Sequence, residues 1–224
     1  MCGRASLTAS PEELEEAFEL ASTPALKPRY NIAPSEPMLI VRAAGGSGGR
    51  EAAQVRWGLV RPGSEDAKAP INLPIEHAAR GAMRRTLRER RCIIPLTGFY
   101  EWKRAGKARQ PYNFRRKDGK VFGVAGLWDR LEGGDGNDLE TCLILTTGAN
   151  DVVRSIHDRM PVILDPASYG PWLLATAQGG PELMAAFQHL SEDLLESYPV
   201  SPLVNKAGIE DPRCLEPAKP ATLW

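Results

Sequence analysis

Cysteine is scarce and never clustered: the four in this chain, at positions 2, 92, 142 and 214, include no C-x-x-C pair. That spacing argues against a zinc site and against the disulfide framework of a small secreted domain. Long hydrophobic runs are missing too, and nothing approaches the roughly 18 to 20 apolar residues that span a bilayer, so no membrane partner is expected. The first thirty residues carry Glu12, Glu13, Glu15, Glu16 and Glu19 and no apolar h-region, which predicts no signal peptide and a cytoplasmic setting. Net charge is absent, with 28 basic and 28 acidic side chains. Disorder is excluded, because 42% apolar and 25% charged residues are ordinary globular values. A chain of 224 residues buries a core without staples, and no repeat or linker divides it. One domain over residues 1–224, with no metal and no cofactor, is the expectation.

The neutral average hides a segregation. Residues 80–120 hold fourteen Lys and Arg against Glu89, Glu101 and Asp118, a local charge of +11 that the rest of the chain balances. A strand of DNA feels local potential, screened over roughly 10 Å, so one concentrated basic segment suits a phosphate backbone even in a neutral protein. The alternative is a solvated helix face, with strand edges kept soluble by charge.

Ser10-Pro11-Glu12-Glu13 predicts a helix start, with Ser as N-cap, Pro in the first turn and Glu13 closing a capping box. Leu14, Ala17, Phe18 and Ala21 then repeat on one face. Extended runs at 38–41 and 55–60, either side of the Gly-rich stretch 45–49, predict an antiparallel pair. Ala78, Ala79, Met83 and Leu87 predict a basic amphipathic helix over about 76–90, ending where a strand starts at Cys92. Segments 112–115 and 121–127 flank Asp118-Gly119, a strong hairpin signal. A strand over 139–147 follows a Gly-rich turn at 133–137, and the tail from about 166 to 195 reads as mostly helical. The class is α+β: mainly antiparallel, barrel-like sheet with packed helices.

Four positions stand out chemically. If Met1 is removed, Cys2 carries a free α-amine of pKa about 7.7 to 8.0 beside a thiol of about 8.5. Offered an aldehyde, that pair forms a Schiff base and then closes a five-membered thiazolidine, a ring no internal cysteine can make. The alternative is an incidental residue on a frayed terminus. Glu101 sits among aromatics in Gly98-Phe99-Tyr100-Glu101-Trp102-Lys103, where apolar surroundings favour the protonated carboxyl of a general acid; the alternative is a strand-edge pair with Lys103 or Arg104. His157, in a polar loop with Asp158 and Arg159, is the natural proton carrier near pH 7, or else a residue fixing that loop. Asn72 can orient a carbonyl or phosphate through its amide, or serve a turn beside Pro74. His77 and His189 fall on predicted helices and read as surface residues.

Taken in order, Met1-Cys2-Gly3-Arg4, Arg29-Tyr30-Asn31-Ile32-Ala33-Pro34, Arg56-Trp57-Gly58-Leu59, Gly98-Phe99-Tyr100-Glu101-Trp102 and Ile156-His157-Asp158-Arg159-Met160-Pro161 resemble the SOS-response-associated peptidase family. Val200-Ser201-Pro202-Leu203-Val204-Asn205 is similar to its C-terminal signature. The resemblance implies a sensor and shield of abasic sites in single-stranded DNA whose N-terminal cysteine forms a thiazolidine with the opened sugar. It implies Cys2 as nucleophile, Glu101 and His157 as proton carriers, Asn72 holding the N-terminus, Arg4 at a phosphate and Pro34 near displaced bases. It also implies autoproteolytic removal of the residue before Cys2. Two positions depart from the family's pattern: Pro74 stands where an arginine is usual, and Arg61-Pro62-Gly63-Ser64-Glu65 lacks a tryptophan that could stack on a base. The basic segment 80–91 is the candidate for compensation. Two other classes stay open, an N-terminal-nucleophile amidohydrolase with a non-DNA substrate and a single-strand DNA-binding module with an idle Cys2.

Overall fold

The computed structural model describes residues 2–45, 48–60, 69–106, 108–132, 138–174 and 190–218. Their strands form two sheets. The smaller runs in the order β13 (Leu195–Pro199), β8 (Ala108–Arg116), β7 (Gly98–Ala105), β1 (Ala5–Leu7) and β2 (Arg29–Ile32). The larger runs β11 (Arg159–Pro161), β10 (Leu139–Gly148), β4 (Arg50–Trp57), β3 (Pro37–Ala43), β6 (Arg91–Leu96), β9 (Phe122–Leu131) and β12 (Ile163–Leu164), with β5 (Asn72–Pro74) beside β10. Because β10 also pairs with β9, the strands β10, β4, β3, β6 and β9 close on themselves. The expected α+β class and barrel-like sheet are therefore found. Pairing is antiparallel throughout, except where β10 meets β4 and β5.

The closed ring explains the apolar runs. Every residue of β6 is buried, and Ile93 and Ile94 meet Ile40, Val124 and Leu143 in one continuous core. Interior space is tight enough to need Gly126: a Cβ there would lie 2.7 Å from Ile94 and 2.9 Å from the Leu143 carbonyl. The helix α1 (Pro11–Phe18) starts with the expected capping box, Ser10 Oγ accepting from Glu13 N–H and Glu13 accepting from Ser10 N–H. It buries Leu14 and Phe18, and Phe18 stacks on Tyr169 of α5 (Tyr169–Leu174) at 5.2 Å. The runs at 38–41 and 55–60 fall on the antiparallel strands β3 and β4, with Met38 opposite Val55, but β4 ends at Trp57 and residues 58–60 leave the strand.

Three expectations change. The helix over 76–90 is broken into α2 (Ile75–Ala78), a 3-10 turn (Gly81–Met83) and α3 (Arg84–Glu89), because Arg80 is extended (φ −124°, ψ 157°) and Gly81 takes φ +56°. Asp118-Gly119 is a tight turn, with Gly119 at φ +71° and Asp118 accepting from Lys120 N–H. It does not close a hairpin: β8 pairs with β7 and β13, and β9 joins the other sheet. The described tail is only partly helical, α5 being followed after residues 175–189 by a 3-10 turn and β13. Those residues, His189 among them, lie outside the described set, as do residues 46–47, the stretch 61–68 lacking the second tryptophan, and the turn 133–137.

Candidate active site

The N-terminal segment enters the smaller sheet between β2 and β7, with Ala5 opposite Phe99 and the Tyr100 N–H donating to Arg4 O at 3.0 Å. That register carries Cys2 alongside Glu101. Cys2 is 1% exposed, so it does not fray. Its carbonyl accepts from Asn72 Nδ2 at 2.7 Å, which fixes the amide's orientation, since a carbonyl can only accept. The Asn72 Oδ1 is buried with no hydrogen-bond partner among the described residues. Burial pushes the Cys2 thiol far above the usual range, and the Glu101 charge pushes it further.

Glu101 lies in the middle of β7 and is 3% exposed. Alternation along the strand separates two faces. Phe99 stacks on Phe114 in the main core at 4.9 Å. Tyr100 faces the opposite way, packing on Val200 and Val204 and donating to Tyr30 O at 2.7 Å, while Trp102 donates to Asn205 Oδ1 at 2.6 Å. The C-terminal signature thus clamps the outer face of the strand whose inner face carries the acid. Burial raises the Glu101 carboxyl, and charged neighbours, His157 among them, oppose that rise.

Two elements attached to β10 hold the other pair. Asn72 opens β5, opposite Ile144, and His157 follows the short helix α4 (Asp151–Arg154), just before β11. His157 Nδ1 lies 3.0 Å from the Arg159 backbone nitrogen, 3.0 Å from an Asp158 carboxylate oxygen and 3.2 Å from Arg159 O. These three contacts converge on one ring nitrogen and set the orientation of the imidazole. Arg159 grips both Glu76 oxygens, at 2.7 and 3.0 Å, and Thr146 O at 2.7 Å, locking the histidine loop to the helix that follows Asn72. A cavity of about 600 Å³ opens here, lined by Gly3, Glu101, Trp102 and His157, with Lys103, Arg104 and Arg109 along one wall.

Arg4 and Pro34 have other surroundings. Arg4 donates to Asn31 Oδ1 at 2.9 Å, Val204 O at 2.6 Å and Asn205 O at 3.4 Å, tying the N-terminal segment to the tail. Pro34 is half-buried in the turn after β2, away from the cavity lining, next to Ser35 at φ +73°. Pro74 caps no hydrogen bond and simply starts α2. Glu76 and Arg159, which the residue-by-residue reading did not join, are partners 83 positions apart. No group of three or more His, Cys, Asp or Glu suited to a metal occurs among the described residues.

The family whose model matches residues 1–207 is described as SOS response associated peptidase, SRAP. The chain belongs to this family. This SRAP protein is 35% identical to the abasic site processing protein YoqW of Bacillus subtilis, over 96% of this chain and 99% of that one. It is 31% identical to the abasic site processing protein YedK of Escherichia coli, over 80% and 82% of the two chains. A crystal structure of a Bordetella bronchiseptica protein superposes with a TM-score of 0.76 at 28% identity, covering 89% of this chain and all of that one. A Bacteroides thetaiotaomicron protein shares the fold, with a TM-score of 0.81 at 23% identity, 97% of this chain and all of that one being covered.

Proposed function

We propose that this SRAP protein processes abasic sites in single-stranded DNA, and that Cys2, freed by removal of Met1, captures the ring-opened sugar as a thiazolidine. One observation carries the reading. The only cysteine that can acquire a free α-amine stands beside a buried carboxyl, with its carbonyl held by Asn72 and an imidazole in the adjoining cavity. The relatives YoqW and YedK, both abasic site processing proteins, support the lesion as substrate.

The condensation balances with these groups alone. The Cys2 amine adds to the sugar aldehyde, giving a carbinolamine. Glu101 protonates its hydroxyl, water leaves, and an iminium remains against a Glu101 carboxylate. The thiol sulfur then attacks the iminium carbon while its proton returns to Glu101, so the net change is loss of one water. A neutral thiol suits this step, since its proton has a destination and the ring closes intramolecularly. Asn72 holds the terminus and offers Oδ1 to the amine. His157 moves the proton that sugar ring opening transfers from the C1 hydroxyl. Met1 release belongs to the same reading and fits the peptidase description, because amide cleavage needs the same nucleophile and acid. Cys2, Asn72, Glu101 and His157 come from one chain, so a monomer suffices.

The test is incubation of the protein, with Cys2 verified as N-terminus by intact mass, with a single-stranded oligonucleotide bearing an abasic site. A heat-stable adduct is expected at the summed mass less one water, and Cys2→Ala should abolish it. Protein with a free Cys2 that yields no adduct overturns the reading, and turnover of an amide substrate in its place would make the site an amidohydrolase.

A further inference from the structure

The charge concentrated between residues 80 and 120 divides into two unlike parts. In the helical part it is answered in part: Arg85 and Arg88 both meet Glu89, Arg90 meets Asp129 and Arg91 is buried against the Trp172 ring, while Arg80 and Arg84 form no ion pair among the described residues. In the hairpin of β7 and β8, Lys103, Arg104 and Arg109 are exposed and form no ion pair among the described residues. All three line the wall of the cavity that holds Glu101 and His157.

Register sharpens the contrast. Arg104 stands directly opposite Arg109, a like-charge cross-strand pair that costs a hairpin stability. The same strand β8 avoids that cost elsewhere, where Arg115 faces Glu196 on β13 and bonds it at 2.8 Å. A repulsive pair beside a third cation, all on the rim of a reactive cavity, is repaid when a polyanion lies across it.

We infer that Lys103, Arg104 and Arg109 form a phosphate cradle at the cavity mouth, which takes the backbone flanking the nucleotide whose sugar enters toward Cys2. The strand's identity rests on the function proposed above; the polyanion binding does not. Two guanidinium forks fit phosphate oxygens bidentately, and the Lys103 ammonium adds a point charge. The helical stretch 80–91 supplies no residue to the lining of that cavity and does not take that part.

The test uses an oligothymidylate without a lesion, so that Cys2 chemistry plays no role, and measures affinity by anisotropy across 50 to 300 mM KCl. Three single-strand phosphate contacts at about 0.7 each predict that K103Q/R104Q/R109Q flattens the slope of log K against log salt by about 2. At 100 mM salt the same variant should bind at least 10-fold more weakly. R85Q/R88Q, which removes two helical cations that share Glu89, should leave the slope unchanged. The cradle is overturned if the triple variant, folded by its thermal midpoint, keeps the wild-type slope and affinity, or if the double variant flattens the slope equally. A wild type that shows the slope but forms no adduct with abasic DNA supports the cradle while sinking the covalent chemistry.

Discussion

The two sheets feed the site by different means. The smaller sheet supplies Cys2 and Glu101 from within or alongside a backbone ladder, buried at 1% and 3% exposure and backed by the Phe99–Phe114 stack. The larger supplies Asn72 and His157 from its margin, through β5 and the loop before β11, and fixes them with polar side-chain contacts such as the Arg159–Glu76 fork. Ladder and packing tolerate little displacement, whereas a salt bridge with Glu76 half exposed holds by a small margin. Substitutions on the first side should therefore remove chemistry without moving anything. On the second side they should move the imidazole and amide without removing them.

The sharpest break is Glu101→Gln. Loss of a positioned acid costs on the order of 10²- to 10⁴-fold in rate, so single-turnover adduct formation should fall by that much while the fold is kept. Stability should move the opposite way. Glu101 has a raised carboxyl, so the folded protein binds its proton more tightly than the unfolded chain, and stability falls as pH rises through that interval. Removing the group removes the penalty. Near pH 7.5 the variant's melting temperature should exceed that of wild type, and the difference should shrink as the pH is lowered. A slower and less stable Glu101→Gln would place the acid in the structural frame instead.

Glu76→Gln probes the other sheet. A partly exposed pair contributes about 0.2 to 1 kcal/mol, so adduct formation should slow by about 1.4- to 5-fold, and adding Arg159→Gln should cost only what its bonds to Thr146 supply, less than the sum of the two single losses. The pH sign is opposite to that of Glu101. The hydrogen bond from Arg159 holds the Glu76 carboxyl below its ordinary range, so the clamp contributes above that range and is lost as acid protonates it. Wild type should accordingly lose the rate advantage over Glu76→Gln as the pH falls below the ordinary carboxylate range. Fully additive losses in the double variant would mean that the two side chains act separately.

How far the sequence was legible follows from range. Capping is local, so the start of α1 was readable from Ser10 to Glu13, and alternation made the pairing of β3 with β4 readable. The turn chemistry of Asp118-Gly119 was readable as well, but turn residues specify a reversal of the chain and not the ladder each flank joins. The continuous helix over 76–90 failed because apolar spacing runs on through Arg80 and Gly81, whose extended and left-handed backbones break it. Cys2, Asn72, Glu101 and His157 are legible as candidates from their reactivity and from family motifs. Arg159 and Glu76 did not, since nothing local to either names a partner 83 residues away. Arg4 is the instructive mixture: the family resemblance implies a phosphate contact, and its guanidinium also binds Asn31 and the carbonyls of Val204 and Asn205.

The smallest effect separates position from stability. Asn150 caps α4, its Oδ1 accepting from Val153 N–H at 3.1 Å, and Val153 O in turn accepts from His157 N–H at 2.9 Å. The cap therefore begins a short hydrogen-bond chain that ends on the backbone of the imidazole's own residue. Ser10 caps α1 in the same way, yet α1 touches the site through no such chain. Either cap changed to Ala costs about 1 kcal/mol, so Asn150→Ala and Ser10→Ala should each lower the melting temperature by about 2 to 4 °C. Only Asn150→Ala should slow adduct formation, by less than about 2-fold, because Arg159 still grips the far end of the loop. Equal rates for the two variants at equal stability loss would show that the histidine loop is held by its salt bridge alone.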